Sequence, residues 1–315
     1  MTADRAAALA FRRRLTEAAA RRHPPRGALP PPAQPRGAIV QYTSALRTLS
    51  KAIDDALLDE LADAGLVPVR TDAAEGGAPS LPKFNPRDIA ARLERIAKRI
   101  IAKHPIVTTL ESIAGNVQAF SKGQVNRQIR ALLGVDLPAA EPDLVPIIKK
   151  FRVENTDLIT SLAKDKVRRV HTILAEAGSG TRVEDIRRRV MDEFGVAKSR
   201  ADLIARDQVL KLNAKVTKTR HEKAGITQYR WRTAGDASVR KAHADLNGLR
   251  FRYDDPPLVD AKRGRCENPG EDYQCRCRAE AVIPGYNDAW RASDGPVPSW
   301  YEPPEDDAVP ERVAS

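Results

Sequence analysis

The chain has 315 residues, a net charge of +11 and only 5% aromatic residues. That length exceeds what one compact core comfortably holds, so two folded units with tails are expected. No uncharged apolar run approaches the roughly 18 residues a membrane span needs, and Met1–Arg36 lacks the apolar stretch of a signal peptide, so the chain reads as soluble and unexported.

Charge is unevenly distributed. Residues 1–37 hold eight arginines (5, 12, 13, 14, 21, 22, 26 and 36) against Asp4 and Glu17. From Ala292 to Ser315 the balance reverses, with Asp294, Glu302, Glu305, Asp306, Asp307 and Glu311 against Arg312. The two ends read either as two electrostatically different contacts or as solvated ends that keep the chain soluble.

Six prolines between Pro24 and Pro35 exclude a helix or central strand there and separate a short Arg-rich segment from the rest. From Val40 to Leu66, Leu46, Leu49, Ile53, Leu57 and Leu61 recur at helical spacing. After a Gly/Pro/Ser-rich break at 72–83, Asn85-Pro86 supplies an N-cap and a first-turn proline for a helix through Ile89, Leu93, Ile96 and Ile100. Further helices are predicted over 107–133, 144–177, 183–194 and 200–223. Gly178-Ser179-Gly180 closes one of them, Thr181 with Glu184 forms a capping box, and Ser199 caps the last.

At Gly225 the pattern changes. Residues 226–232 alternate and are rich in β-formers; 248–253 and 279–283 are two more strand candidates, with a turn-rich stretch at 254–274 between them. The expected fold is mainly α: an elongated helical body with a small α+β C-terminal module and flexible termini. The division is 1–37 basic Arg/Pro-rich arm, 38–224 helical region, 225–285 module and 286–315 acidic tail.

Within the module, Asp236, Arg240 and His243 are spaced to share one face of a helix, where Asp236 and Arg240 would pair. All three cysteines of the chain, Cys266, Cys275 and Cys277, lie nearby, and an odd, clustered count argues against a secreted disulfide scaffold. With His243 they make a candidate Cys₃His zinc set that would clamp a module of little core. Free thiols, or a disulfide from Cys266 to one partner, fit the same spacing. Tyr229 and Trp231 are expected as core anchors.

The order Ala205-Arg206-Asp207, Asn213, Gly225-Ile226, Tyr229, Trp231, Asp236, Arg240, His243, Leu246, Gly248, Pro269-Gly270, Cys275-Arg276-Cys277 and Pro284 resembles the phage Mu F-like head morphogenesis family. Asn155, Leu158-Ile159 and Phe194-Gly195-Val196 upstream are similar too, so the likeness covers about 153–284. That family carries Thr-Glu after the Ala-Arg motif; here Asp207-Gln208 keeps an acid within one position. The resemblance implies a minor capsid protein of few copies that binds the portal protein and scaffold or major capsid protein inside the procapsid. The virion head interior or portal vertex, with the host cytoplasm during assembly, is then its location, and Arg206, Asp207, Asn213, Trp231, Asp236, Arg240 and Gly248 are motif residues with architectural roles. The N-terminal arm, with Arg12-Arg13-Arg14, could neutralise phosphates of double-stranded DNA without reading sequence.

Two competing readings make other demands on the sequence. A metal-dependent nuclease would need an open metal position and a positioned base. Four ligands close the shell, only His243 of five histidines lies in the module, and no Gly-rich phosphate loop with a lysine occurs. A regulatory DNA-binding protein would need an exposed recognition helix, whereas 200–223 carries Ile204, Val209 and Leu212 around its circumference. The expectation is therefore a non-enzyme.

Overall fold

A computed structural model describes residues 32–67, 82–134, 136–137, 141–177, 181–283, 287 and 297–304. The Arg-rich segment 1–31, the Gly178–Gly180 stop and the acidic run from 305 onward lie outside the described residues. The fold is mainly helical, with small antiparallel strands toward the C-terminal end. Two compact units divide it: Gly37–Ile113 with Lys150–Arg206, and Met1–Arg36 with Ala114–Lys149 and Asp207–Ser315.

Every regular element described in the first unit is a helix. Helix α1 (Arg36–Asp63) buries Ala38, Tyr42, Leu46, Leu49, Ile53, Leu57 and Leu61, the three- and four-residue spacing of a core-facing stripe. Helix α2 (Pro86–Lys103) starts as its sequence dictates: the Asn85 side chain accepts from the Arg87 amide, and Pro86 occupies a position whose missing N–H costs nothing. Helices α3 (Ile106–Leu133), α4 (Val145–Glu176, after a 3₁₀ turn at Pro142–Leu144) and α5 (Val183–Lys223) each contribute one part to this unit and the other to the second. Two buried polar clusters inside the first unit are paired. The Tyr42 hydroxyl donates to Asn155 Oδ1 at 2.8 Å, and Asn155 donates onward to the Phe151 carbonyl at 2.7 Å. Lys166, buried on α4, pairs with Asp54 and donates to Ser50 Oγ at 3.1 Å. Burial pushes the Lys166 ammonium pKa down and the Asp54 carboxyl up, each opposed by the other's charge.

One helix replaces two predicted ones. Residues 183–194 and 200–223 belong to the continuous α5, and Ser199 lies inside it rather than capping it. A glycine such as Gly195 costs a helix interior only about 1 kcal/mol, and without a proline nothing breaks the ladder. Buried Val183, Ile186, Val190, Ala201, Ala205, Val209, Leu212 and Val216 keep one face across the predicted gap.

In the second unit, β1 (Gln228–Arg232) is the central strand of an antiparallel sheet, flanked by β2 (Arg250–Arg252) and β5 (Arg278–Val282). Registers pair Tyr229 with Phe251 and with Ala281, and Trp231 with Ala279. The stretch predicted as turns contains a two-stranded ribbon, β3 (Leu258–Asp260) with β4 (Arg265–Cys266), too short for an alternating pattern to reveal. Tyr229, Trp231, Leu246, Leu249, Tyr253 and Val259 form the core with Cys275 and Cys277. Part of the predicted tail packs here as well: the Tyr301 hydroxyl accepts from the Arg250 amide and donates to its carbonyl, both at 2.9 Å, with its ring edge-on to Phe251. An aromatic body with a polar tip seals the exposed side of a short sheet, which charge counting does not register.

His221, near the end of α5, is fully buried with Nδ1 2.6 Å from the Tyr253 hydroxyl. Burial, helped by the adjacent Arg220 charge, pushes its pKa from 6.5 down to about 3. The folded imidazole stays neutral where the unfolded one takes a proton, so its contribution is fully present above pH 6.5 and is lost as pH falls toward 3. Between pH 6.5 and 4.5 this removes about 2–3 kcal/mol. Urea unfolding over that range should show the loss, and His221→Gln should flatten it by the same amount. An unchanged slope in the variant would show that His221 does not carry it.

Among the described residues no helix is long and apolar enough to cross a membrane.

Candidate metal centre

His243 lies on the one-turn helix α6 (Lys241–Ala244), directly after β1 and its following turn. Cys275 and Cys277 approach from the segment leading into β5. His243 Nδ1 sits 3.4 Å from Cys275 Sγ and 3.6 Å from Cys277 Sγ, and the three donor atoms all lie within 4.8 Å of one another, every side chain buried. Tetrahedral ligands on zinc, with Zn–S of about 2.3 Å and Zn–N of about 2.0–2.1 Å, stand roughly 3.5 Å (N to S) and 3.8 Å (S to S) apart. The donors present therefore fit three corners of such a shell. Imidazole and thiolates are ligands of a soft or borderline divalent ion rather than of magnesium or calcium.

The surroundings hold these donors in place. Gly270 has φ +89°, and its N–H points at Cys275 Sγ from 3.4 Å. A Cβ built there would lie 3.0 Å from the Ala214 Cβ on α5 and 3.3 Å from the Cys277 carbonyl oxygen, so both the turn and the close approach require glycine. The Cys277 thiol beside it is the largest influence on Cys275 and pulls its pKa down, against burial. Cys277 is pushed up correspondingly, by sharing its proton with Cys275 and by burial. Trp231 meets the His243 ring edge-on, centroids 5.5 Å apart.

Cys266 is not part of this cluster. It lies exposed on β4, paired in register with Leu258, so the four-donor Cys₃His set becomes three donors. All three cysteines are free thiols in the structure. The closed-shell argument against hydrolysis falls with the fourth donor.

Asp236, Arg240 and His243 do not share a helix face. Asp236 sits in the turn before α6 and Arg240 at its N-cap, because the helix has only four residues. Asp236 pairs instead with Arg276, between the two cysteines, at 2.6 Å. That contact pulls the exposed Asp236 carboxyl below its ordinary pKa, chiefly through the Arg276 hydrogen bond. Arg240 pairs with Asp272 and donates to the Tyr273 carbonyl. The turn and the cysteine segment are thus tied by crossed ion pairs rather than by one helix.

Among the other motif residues, Asp207 on α5 has the clearest task. Its Oδ1 accepts the Gln274 amide at 2.6 Å, where Gln274 has φ +52°, while Oδ2 meets Lys211 at 2.9 Å. A helix-borne carboxylate thus holds the turn one residue before Cys275. Asn213 is buried and lines a cavity of about 20 Å³ with Gln124, Asn268 and Cys277. Gly248, with φ +84°, donates its N–H to the Trp231 carbonyl at 2.9 Å. Trp231 is a fully buried core anchor, as expected, and Arg206 is half-buried on the α5 stretch of the other unit.

Asp272 and Arg265 were missed. Asp272 Oδ2 is 3.3 Å from His243 Nε2, and its Oδ1 takes Arg265 at 2.7 Å and the Tyr273 amide at 2.8 Å. Burial opposes the charge of Asp272, but the Tyr273 amide, Arg240 and Arg265 outweigh it and lower its pKa. Its place three residues before Cys275 was the only sequence signal.

Residues 169–280, from within α4 to within β5, match the Phage Mu protein F like family, and the segment contains all three donors and Asp272. The chain is also similar to an uncharacterized protein of Haemophilus influenzae, 29% identical over 201 residues. That alignment takes in 62% of this chain and 41% of the relative, so the chain spans about two fifths of the relative's length. No solved structure matches. Residues 169–280 are thus similar to the Phage Mu protein F like family.

Proposed function

We propose that this chain is a minor head protein of a tailed phage, acting inside the procapsid at the portal vertex. The family match over residues 169–280 carries this reading, because it covers the module's sheet and its candidate metal donors. On this reading the portal protein and the scaffold or major capsid protein are the partners, and the protein ends in the virion. The basic arm 1–37 contacts packaged double-stranded DNA through phosphates, and a structural zinc on His243, Cys275 and Cys277 clamps the module. The role is assembly rather than catalysis.

Deleting the gene from the phage that carries it should abolish infectious particles or leave misassembled heads, restored when the chain is supplied in trans. Normal heads at normal yield would contradict the reading. Tagged full-length chain co-expressed with the portal protein of the same genome should retain it on an affinity column, and failure to do so would remove the portal contact.

A second reading draws on the line Cys275–His243–Asp272, which has the order of a thiol, imidazole and carboxylate in a nucleophilic centre. Cys275 is 3% exposed and His243 2%, and a second sulphur shares Nδ1, so the arrangement favours an ion over a substrate.

A further inference from the structure

We infer that Asp272 is the residue that sets which nitrogen of His243 faces the metal, so that the centre is a carboxylate–histidine–metal relay rather than three isolated ligands. The inference rests on the metal reading for its consequence, though not for its geometry.

A histidine presents a lone pair to a metal from one ring nitrogen only if the proton sits on the other. His243 turns Nδ1 toward two sulphurs and Nε2 toward Asp272 Oδ2, 3.3 Å away. The Asp272 side chain is wholly buried, and its oxygens already receive two guanidinium groups, Arg240 and Arg265, and the Tyr273 amide. Surrounded by donors, this carboxylate accepts and does not donate. A proton on Nε2 would face this acceptor and leave the Nδ1 lone pair directed at the sulphurs. Outer carboxylates of this kind fix the tautomer and ring orientation of metal-bound histidines, and losing one weakens metal binding by about 10–100-fold.

The competing arrangement has Arg240 Nη1, 3.4 Å from the same nitrogen, donating to Nε2, which would put the proton on Nδ1 and turn an N–H toward the sulphurs. Arg240 is itself drawn to Asp272, and a carboxylate facing an N–H is the better-matched pair. Arg265 anchors the other side: it bridges Asp272 to Asp260 of the β3–β4 ribbon at 2.9 Å, so this otherwise short ribbon helps hold the histidine's partner. No cysteine of the ribbon is needed for that task.

The test uses full-length protein and its Asp272→Asn variant, in which the side-chain shape is kept and an amide can donate to Nε2. Ring nitrogen shifts of His243 in the metal-free protein should show Nε2 protonated, and the proton should move to Nδ1 in the variant. Zinc affinity, measured by competition against a chromophoric chelator, should fall by about 10–100-fold in folded Asp272→Asn and recover partly in Asp272→Glu. A proton on Nδ1 in the parent, or equal zinc affinity in parent and folded variant, overturns the inference. If the parent binds no zinc, the metal reading fails, while the nitrogen shifts still decide the role of Asp272. Should Asp272→Asn not fold, the parent's shifts decide it.

Discussion

Cys277→Ser is expected to reduce bound zinc from about one per chain to under roughly 0.2, because a serine hydroxyl at neutral pH is not a replacement for a thiolate ligand. With free zinc about 1,000-fold above its dissociation constant, the ion contributes roughly 4 kcal/mol to the folded state, and the variant forgoes it. Thermal unfolding with and without a chelator reads this directly: chelation should lower the parent's melting temperature by several degrees and leave the variant unmoved. Cys266→Ser is the informative contrast. Its sulphur is exposed on β4 and outside the donor cluster, so zinc content and melting temperature should both stay at the parent's values. Loss of zinc in Cys266→Ser would restore the four-donor set expected from sequence.

Gly270→Ala carries the second large effect. A side chain at φ +89° is strained whatever space surrounds it, and here the new Cβ would also stand 3.0 Å from the Ala214 Cβ and 3.3 Å from the Cys277 carbonyl oxygen. Backbone strain and overpacking together cost about 2–4 kcal/mol. They would also disturb the N–H that points at Cys275. Denaturant unfolding should show that loss relative to the parent. A variant as stable as the parent would mean that the turn at Gly270 is not as close to α5 as described.

These effects depend on placements that the sequence revealed unevenly. The α1 stripe and the Asn85–Pro86 start of α2 follow from local rules, and local rules predicted them. The continuity of α5 was also readable: Val190 and Ala201 are 11 residues apart, three full helical turns, so the apolar face resumes in phase across Gly195. Ending one helix at residue 194 and capping the next at Ser199 gives local composition more weight than that phase. The β3–β4 ribbon, with strands of three and two residues, carries too few positions for any period to be seen.

At the centre, His243, Cys275 and Cys277 were legible because residue chemistry and ordered spacing both single them out. Excluding Cys266 was not legible, since strand register decides whether a cysteine nine residues before Cys275 turns inward, and register is a tertiary outcome. The same holds for the ion pairs. Spacing suggested Asp236 with Arg240, yet each finds a partner from the cysteine segment, Arg276 and Asp272. Asp272 itself looked like one acid among many in a charged chain, and only its burial against His243 distinguishes it.

The central claim is that one histidine nitrogen and two sulphurs of the C-terminal module hold a single ion. X-ray absorption at the zinc edge, on full-length protein purified without chelator, tests it most directly. The account predicts stoichiometric zinc with two sulphur scatterers at about 2.3 Å and an imidazole nitrogen at about 2.0–2.1 Å. A shell of three sulphurs, a shell of oxygen and nitrogen only, or protein that retains no zinc would contradict it.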